Sequence, residues 1–326
     1  MNIPLLQRLR AAQGAFVPLV ELGGDLDAVR ADLGALEAFG FRLEHHPYFG
    51  VAYRGPAERL CPDQIEWNLG TSRIGRRIAV WNRVSSTNDL AARASGSAAN
   101  DGLVILAESQ TAGRGRRGRT WTAPPASSIL MSVLLFPPRD LDDPAWLTAL
   151  GAIAAAEVVE AWTGREARIK WPNDVRVDGR KIAGVLVERG AGAVIGIGLN
   201  VNLALSDLPE GLRHSATSLL ALRGEPADRS EVARALILRL DEHYVRSLAV
   251  GPEALAQPWR SRLEILGQTA RLLTRNGSLV GRLVDADLQG GLILEPFGEP
   301  RRRVAAAEVL EAVIEGGADH GSPGLA

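Results

Sequence analysis

The stretch Glu108–Trp121 reads Glu-Ser-Gln-Thr-Ala-Gly-Arg-Gly-Arg-Arg-Gly-Arg-Thr-Trp, in which glycines alternate with arginines until an indole closes the run. Glycine lets a backbone adopt positive φ and approach a ligand closely. Guanidinium groups are always charged and bind phosphate or carboxylate through forked hydrogen bonds. The stretch therefore predicts a mobile loop that binds an anion. An isolated arginine run is more often a solvated turn or a nonspecific nucleic-acid tract, so the flanking sequence has to decide between these interpretations.

The composition is that of an ordinary globular protein. The chain has 326 residues, 46% hydrophobic and 23% charged, which predicts two or three domains with a sizeable core. A formal net charge of −1 argues against a protein that coats nucleic acid. Cys61 is the only cysteine, so neither a disulfide framework nor a thiolate metal site is expected. We expect a protein of the reducing cytoplasm.

The sequence predicts neither export nor a membrane anchor. The first residues lack the basic and apolar pattern of a signal peptide. The apolar run 145–162 is interrupted by Glu157 and Glu160, which is typical of a buried helix rather than a membrane span. The five histidines are scattered without the spacing of a metal cage.

Lysine is almost absent from the chain. Of 37 basic residues only Lys170 and Lys181 are lysine. Lysine is a compact point charge on a flexible stem, whereas arginine presents a planar fork. Two lysines so close together in an arginine-rich chain therefore indicate sites where the fork does not substitute. Chance survival of the two lysines is the alternative that a single sequence leaves open.

Residues 1–54 are predicted to form a small winged-helix-like module. Apolar residues recur at helical spacing in 3–9 and 26–39, and residues 41–53 have the pattern of a hairpin. The helix that would read DNA is acidic, with Asp25, Asp27, Asp32 and Glu37. Acidic side chains in the groove oppose the phosphate contacts that supply most DNA affinity. We therefore expect a module that has kept the fold and lost DNA binding.

The rest of the chain divides into four predicted segments. Residues 55–77 have the composition of a linker, and 78–265 alternate helical and strand patterns as in an α+β catalytic domain. Within this domain, 168–202 predicts a three-stranded meander whose last strand is weakened by glycines, as where a flat ligand approaches the backbone. Residues 266–315 predict a small antiparallel barrel with turns at 276–277 and 289–291. Residues 316–326 predict a disordered tail.

The triplet Ser86-Thr87-Asn88 stands between a predicted strand and the helix that follows it. Short hydroxyl and amide side chains at this position commonly cap the helix. The same donors and acceptors can also bind a polar ligand head group. From the residues alone the two interpretations have equal weight.

The motifs together resemble the biotin–protein ligase family (biotin–[acetyl-CoA-carboxylase] ligase), in its long form with an N-terminal winged-helix module. The resemblance rests on five separated motifs in family order: Ser86-Thr-Asn88, Gln110 with Gly113–Arg119 and Trp121, Lys170-Trp-Pro-Asn-Asp174, Lys181-Ile-Ala-Gly-Val-Leu-Val-Glu188, and Gly196–Asn202. It covers the whole chain. It implies a catalytic domain with a mixed sheet of the class II synthetase kind, preceded by the winged helix and followed by an SH3-like barrel.

The resemblance also implies a role for each motif residue. It implies biotin contacts for Ser86, Thr87, Asn88, Gln110, Arg114, Gly115, Arg116 and Lys181. It implies nucleotide contacts for Arg119, Trp121, Asn173 and Asn200, with Asn173 also a candidate Mg²⁺ ligand. It implies catalytic roles for Lys181, Arg116, Lys170 and Asp174, since two anions must be held together while charge develops.

The implied reaction has two steps and uses ATP, biotin and Mg²⁺. Biotin and ATP form biotinyl-5′-AMP, and a lysine of a biotin carboxyl carrier domain, of acetyl-CoA carboxylase or a related carboxylase, then takes the biotinyl group. A homodimer is also expected from the resemblance. Two alternatives stay open: a lipoate–protein ligase, which shares the general fold, and a biotin-responsive DNA-binding repressor that is also a ligase.

The acidic helix leads to a prediction about DNA. We expect residues 1–54 to confer no tight, sequence-dependent DNA binding, because four acidic side chains would face the phosphates. Fluorescence anisotropy at low salt, with duplexes of several sequences, measures this. Saturable binding that prefers one sequence would show that the module reads DNA.

Overall fold

A computed structural model describes residues 1–288 and 291–315. Two compact units make up the chain. One comprises Met1–Leu69 with Asp228–Arg234, and the other comprises Gly70–Ala227 with the chain from Ala235 onward. The predicted tail 316–326 and part of the predicted turn 289–291 lie outside the described residues.

The first unit has the helices and the hairpin that the sequence predicts. Its elements are α1 (Ile3–Ala11), α2 (Leu26–Phe39), β1 (Arg42–His46), β2 (Gly50–Gly55) and α3 (Pro62–Glu66). The side chain of Asp25 accepts a hydrogen bond from the Ala28 N–H at 3.3 Å and so caps α2. Gly40 ends α2 in the left-handed conformation, with φ at 117°. The apolar faces of α1 and α2 pack together with β2 in one core.

The predicted linker 55–77 is largely part of this unit. Ala57 and Cys61 are buried in its core. The Cys61 N–H donates to Ser230 Oγ at 2.9 Å, and Gln64 Nε2 donates to Asp228 Oδ2 at 2.8 Å. The predicted boundary at residue 54 is therefore too early. Local patterns did not predict this, because the partners of 55–69 lie far along the chain.

The second unit is built on a seven-stranded mixed sheet. In chain order its strands are β3 (Arg77–Trp81), β4 (Leu103–Ala107), β5 (Ser128–Leu135), β6 (Arg168–Lys170), β7 (Asp174–Val177), β8 (Arg180–Arg189) and β9 (Ala193–Asn200). In space the order is β3-β4-β5-β9-β8-β7-β6, and only β3 and β4 are parallel. The mixed sheet of an α+β domain is thus confirmed.

The meander of residues 168–202 has four strands instead of the predicted three. The break at Pro172-Asn173 is short, and Asp174 opens a strand of its own that pairs with both β6 and β8. The predicted turn at Asp178-Gly179 joins β7 to β8, with φ values of 50° and 74°.

Helices α4 (Thr87–Ala94) and α5 (Pro144–Thr163) pack against this sheet. The later helices are α6 (Glu210–Arg213), α7 (Leu219–Arg223), α8 (Arg229–Val250) and α9 (Ala256–Arg260). Helix α5 is long and apolar enough to cross a membrane, but 67% of its most apolar window is buried inside the protein. It is a core helix, as the sequence predicts.

The C-terminal strands form a five-stranded antiparallel sheet. They are β10 (Thr269–Thr274), β11 (Gly277–Asp287), β12 (Gly291–Pro296), β13 (Arg302–Val304) and β14 (Val309–Ile314), in the order β13-β12-β11-β10-β14. The hairpin predicted at 276–277 joins β10 to β11. An antiparallel all-β segment is confirmed here, and its SH3-like character stays a prediction.

Helix α5 packs on the sheet through a glycine. A Cβ added at Gly151 would lie 2.9 Å from Val185 Cγ1 and 3.3 Å from Ile195 Cγ2. We expect Gly151→Leu to lower the free energy of unfolding by about 1–3 kcal/mol, because the added side chain overpacks this contact. Urea unfolding measures it. The control is Gly34→Ala in α2, where nothing lies within 4 Å of the added Cβ and a gain of up to about 1 kcal/mol is expected. An unchanged midpoint for Gly151→Leu would contradict the prediction.

Candidate active site

The floor of the site is one face of β5, β9 and β8, where small residues meet across the strands. Ser132 pairs with Gly196, and Gly184 pairs with Gly198. A Cβ at Gly196 would overlap the Asn88 amide, and one at Gly198 would overlap the Trp121 indole. The sequence predicted that these glycines admit a flat ligand. In the structure the groups that approach the backbone are two side chains of the protein itself.

The polar triplet is held beside Gln110 by extended pairing of two chain segments. Beyond the last residues of β3 and β4, the Thr111 N–H donates to the Val84 carbonyl at 2.9 Å and the Ala112 N–H to the Ser85 carbonyl at 2.8 Å. Gln110 Oε1 accepts from the Thr87 N–H at 2.7 Å and from Thr87 Oγ1 at 3.0 Å. The strand geometry thus brings residues from separate motifs into one hydrogen-bonded group.

The triplet does not act as a helix cap. Ser86 is the N-cap residue of α4, but its side chain makes no capping hydrogen bond. Ser132 Oγ lies 2.7 Å from Thr87 Oγ1 and 2.5 Å from Asn88 Oδ1. The triplet is buried, and it lines a cavity. Of the two interpretations, the geometry supports the ligand-facing one.

The Gly-Arg stretch forms a hairpin-like turn. The Gly115 N–H donates to the Arg119 carbonyl at 2.7 Å, and the Trp121 N–H donates to the Gly113 carbonyl at 3.0 Å. Gly118 has φ at 74°, a conformation that glycine adopts without strain. A Cβ at Gly113 would lie 2.5 Å from the Trp121 carbonyl oxygen. The turn itself therefore requires glycine at positions 113 and 118.

Two arginines of this turn have different surroundings. Arg114 Nη2 lies 2.7 Å from Asp89 Oδ1 and 2.9 Å from Glu188 Oε2. The Arg114 hydrogen bond lowers the pKa of Asp89 below its usual range. Arg116 donates to Asn173 Oδ1 at 3.2 Å. Burial, followed by the neighbouring charge of Arg117, lowers the pKa of Arg116. The charge of Arg114 is compensated within the protein. Arg116 instead donates to a neutral amide and has Arg117 and Arg119 as cationic neighbours, opposed by the single carboxylate of Asp174.

The two lysines come together through the register of β6, β7 and β8. Lys170 is paired with Asp174 across β6 and β7. Lys181, the second residue of β8, places Nζ 2.9 Å from Asp174 Oδ1 and 5.3 Å from the centroid of the Trp121 ring. Its backbone is fixed by Ser215, whose carbonyl accepts from the Lys181 N–H at 2.8 Å. The carboxylate of Asp174, the ammonium group of Lys181 and the indole of Trp121 thus lie close together.

Thirteen of the fourteen predicted site residues line a single cavity of the second unit. They are Ser86, Thr87, Asn88, Gln110, Arg114, Gly115, Arg116, Arg119, Trp121, Lys170, Asn173, Asp174 and Lys181. The exception is Asn200, which is buried and donates to the Thr217 carbonyl at 3.0 Å. The prediction that Asn200 contacts the nucleotide base is not supported by this geometry, because a backbone carbonyl already binds its amide.

Sequence reasoning assigned no role to several residues of this site, although Glu188 ends one of the quoted motifs. Ser132 and Glu188 hydrogen-bond to the predicted residues from the floor of the sheet. Strand alternation was a signal for both, since Ser132 pairs with Gly196, and Glu188 follows Gly184 at even spacing. The cavity lining also includes Ser215 and Ala216 and, from β14, Leu310, Glu311 and Ala312. No local pattern pointed to these.

The charge of the lining favours an anionic ligand. Six of the lining residues are cationic, namely Arg114, Arg116, Arg117, Arg119, Lys170 and Lys181, and two are acidic, Asp174 and Glu311. Positive side chains around a cavity can hold two anions near each other and stabilise negative charge as it develops. The indole of Trp121 adds an aromatic surface. The site is chemically suited to a reaction between a carboxylate and a phosphate ester.

The residues proposed for a metal do not fit that role well. In the part of the chain that the structure describes, no group of three or more His, Cys, Asp or Glu side chains could hold a metal ion. Asn173 Oδ1 accepts from the Arg116 guanidinium, and Asp174 Oδ1 pairs with Lys181. Since the candidate oxygen of Asn173 and the neighbouring oxygen of Asp174 already face cations, neither is assigned to a magnesium ion.

The class of protein follows from comparison with known families. Residues 80–202 match the model of the biotin/lipoate A/B protein ligase family. The chain is 32% identical over 280 residues to the bifunctional ligase/repressor BirA of Bacillus spizizenii, covering 84% of this chain and 86% of that protein. It is 37% identical over 256 residues to the biotin–[acetyl-CoA-carboxylase] ligase of Mycobacterium tuberculosis, covering 74% of this chain and 93% of that protein.

The solved structures agree with this assignment. A biotin protein ligase from Aquifex aeolicus in complex with biotin and ATP superimposes with a TM-score of 0.65 at 27% identity, covering 73% of this chain and 99% of that chain. The chain therefore belongs to the biotin/lipoate A/B protein ligase family. Within the family it corresponds to the long form, of which BirA is an example.

Proposed function

We propose that this chain is an ATP-dependent biotin–protein ligase. It forms biotinyl-5′-AMP in the cavity of the second unit and transfers the biotinyl group to a lysine of a carboxylase carrier domain. Relatives at 33% and 37% identity are named biotin–[acetyl-CoA-carboxylase] ligases. These names favour biotin over lipoate, although the family model includes ligases for both.

The observation that carries the proposal is the convergence of the motifs on one cavity. Residues from four separate motifs, between 86 and 181, line it together. They supply polar groups for the uncharged head group of biotin and cations for its carboxylate and for the phosphates of ATP. They also supply an aromatic surface for the adenine base. A solvated arginine turn or a nucleic-acid tract does not account for this arrangement.

In the first step a carboxylate oxygen of biotin attacks the α-phosphorus of ATP. The new oxygen–phosphorus bond forms as the bond to the β-phosphate breaks, and pyrophosphate leaves. Both reactants are anions, so their approach is opposed unless cations lie between them. Lys181 and Arg116 would supply these charges, with Lys170 beside them, and holding both reactants in place removes much of the entropic cost.

In the second step the amine of a carrier lysine attacks the carbonyl carbon of the mixed anhydride, and AMP leaves. The incoming ammonium group must lose a proton before it can attack. Asp174 lies in the lining and pairs with Lys181, so it would orient the amine. The side chains assigned to the chemistry include no covalent nucleophile, and Cys61 is buried in the other unit.

The Gly-Arg turn would cover the intermediate. Arg116 and Arg119 would contact the phosphate, and Trp121 would pack on the adenine base. Gly115 would let the backbone approach the acyl chain. Such a cover excludes water from the anhydride until the carrier docks. Asn173, which donates to the Val185 carbonyl at 2.9 Å, would hold Arg116 in place.

Other parts of the proposal rest on the relatives and not on the cavity. The partner would be a biotin carboxyl carrier domain, the location the cytoplasm, and the assembly a homodimer. Mg²⁺ would accompany ATP. A repressor role in addition to the ligase is the second candidate function, because relatives named ligase/repressor align over 84% and 88% of this chain. The acidic helix α2 argues against it.

The function is tested by intact mass spectrometry of an apo-carrier domain. With ATP and biotin we expect the carrier to gain one biotinyl group, and with ATP and lipoate no change. The Lys181→Ala variant should form no adduct and show no ATP–pyrophosphate exchange, because the charge between the two anions is lost. Transfer of lipoate instead, or normal exchange by Lys181→Ala, would contradict the assignment.

The proposal that the Gly-Arg turn covers the intermediate is tested with the Arg116→Gly variant. We expect this variant to release biotinyl-5′-AMP, which then labels lysines of any nearby protein, because a cation that holds the phosphate is gone. Biotin incorporated into an unrelated protein, such as serum albumin, measures the release. Arg83→Gly, which removes an exposed arginine outside the cavity lining, is the control and should label only the carrier. Equal retention by Arg116→Gly would remove the turn from this role.

A further inference from the structure

The carboxylate of Glu188 joins two parts of the site that the sequence treats as separate. Its Oε1 accepts from Arg114 Nε at 3.1 Å, and its Oε2 accepts from Arg114 Nη2 at 2.9 Å. The same Oε2 accepts from Asn88 Nδ2 at 2.8 Å. Glu188 therefore binds the first arginine of the turn with a fork and the amide of the polar triplet at the same time.

The network continues on both sides of Glu188. Asn88 Oδ1 accepts from Ser132 Oγ at 2.5 Å, which fixes the other end of the amide. Arg114 Nη2 also pairs with Asp89 at 2.7 Å, so two carboxylates hold one guanidinium. The positive charge of a guanidinium that pairs with two carboxylates is neutralised within the protein, so it attracts an anionic ligand only weakly. Arg114 is thus an anchor of the turn, and Arg116 remains as the cation for the phosphate.

We propose that Glu188 is a positioning residue that couples closure of the Gly113–Arg119 turn to the orientation of Asn88 in the head-group pocket. The turn is held closed on the Glu188 side through Arg114. The Asn88 amide is held in one orientation through the same carboxylate. A ligand that hydrogen-bonds to Asn88 therefore also affects the Glu188 carboxylate, which holds the turn through Arg114.

This coupling gives a role to an acid that lies beside a cationic cavity lining without being part of it. A carboxylate next to a phosphate site opposes binding unless its charge is used elsewhere. Glu188 lies at the far end of β8 from Lys181, with a bidentate arginine beside it. Bidentate Arg–carboxylate pairs are geometrically specific, so they fix a loop better than a single contact does.

The first test uses the protein without ligand, so it does not depend on the proposed function. Trypsin cleavage after Arg116, Arg117 and Arg119, followed by mass spectrometry, measures opening of the turn, because cleavage follows the open population. We expect Glu188→Gln to be cleaved about threefold to fivefold faster, the scale of a partly exposed ion pair. Gln keeps one acceptor oxygen, but it loses the charge and places an NH2 donor where Arg114 or Asn88 needs an acceptor.

The contact by which Glu188 holds the turn through Arg114 is called the latch below. A matched control separates loss of the latch from a general loss of negative charge. Asp142 has a side chain 31% exposed and pairs with Arg189, 37% exposed, outside the cavity lining. The Glu188 and Arg114 side chains are 35% and 39% exposed. Asp142→Asn should leave cleavage of the turn unchanged. If Glu188→Gln is cleaved at the parent rate while its thermal unfolding is normal, the latch is wrong.

The second test concerns the coupling to Asn88 and rests on the proposed function. We expect Glu188→Gln to raise the KM for biotin about tenfold, the scale of a hydrogen bond to a charged group, and to leave the KM for ATP nearly unchanged. Asp89→Asn loosens Arg114 but leaves the Asn88 contact in place, so it should speed cleavage with a smaller effect on biotin.

The outcomes of the two tests are distinguishable. Faster cleavage with an unchanged biotin KM would keep the latch and overturn the coupling. Equal increases in both KM values would indicate a general structural defect and overturn the positioning role. A carrier that takes up no biotin from the parent protein would remove the proposed function, while the cleavage result would still decide the latch.

Discussion

The constraint on which the site depends is the absence of side-chain bulk on one face of β5, β9 and β8. Gly196 and Gly198 leave room for the Asn88 amide and the Trp121 indole to lie against the sheet. The Trp121 N–H in turn donates to the Gly113 carbonyl at 3.0 Å, and Lys181 Nζ lies 5.3 Å from the centroid of the Trp121 ring. A methyl group at either strand glycine would overlap one of these side chains and displace it. The positions of the polar triplet and of the Gly-Arg turn therefore both follow from the strand glycines.

Charge compensation then divides the arginines of the turn into two roles. Arg114 is held by Asp89 and Glu188, and its charge is used inside the protein. Arg116 has a neutral partner, Asn173 Oδ1, and a second arginine as its neighbour. Arg114 and Arg116 are the same type of residue, but their different hydrogen-bond partners give them different roles. An arginine with two acids positions the backbone, and an arginine with an amide remains able to bind an anion.

Much of the site could be predicted from the sequence. Where the structure differs from the prediction, the difference has a physical cause. Motif residues lie close to sharp turns and strand ends, where local sequence sets the conformation, and thirteen of them reached one cavity. Asn200 does not line this cavity, and its amide donates to the Thr217 carbonyl, a partner that only the folded chain supplies. The linker 55–77 failed because Cys61 and Gln64 are bound by residues near 230. The fourth strand of the meander was missed because Asp174 looked like part of a turn, while its pairing with Gly184 makes it a strand residue.

The sequence by itself determined the element types, the order of the motifs and the kind of ligand they suit. Helical spacing, turn residues and the Gly-Arg pattern are local properties, so they are readable along the chain. Only the tertiary structure decided which charges are compensated and which residues support the motifs. Ser132 and Glu188 became part of the site through strand register, and Leu310–Ala312 through the placement of β14. Pairing between distant strands sets these contacts. Strand alternation signals the face of the sheet on which Ser132 and Glu188 lie, whereas no local pattern points to Leu310–Ala312.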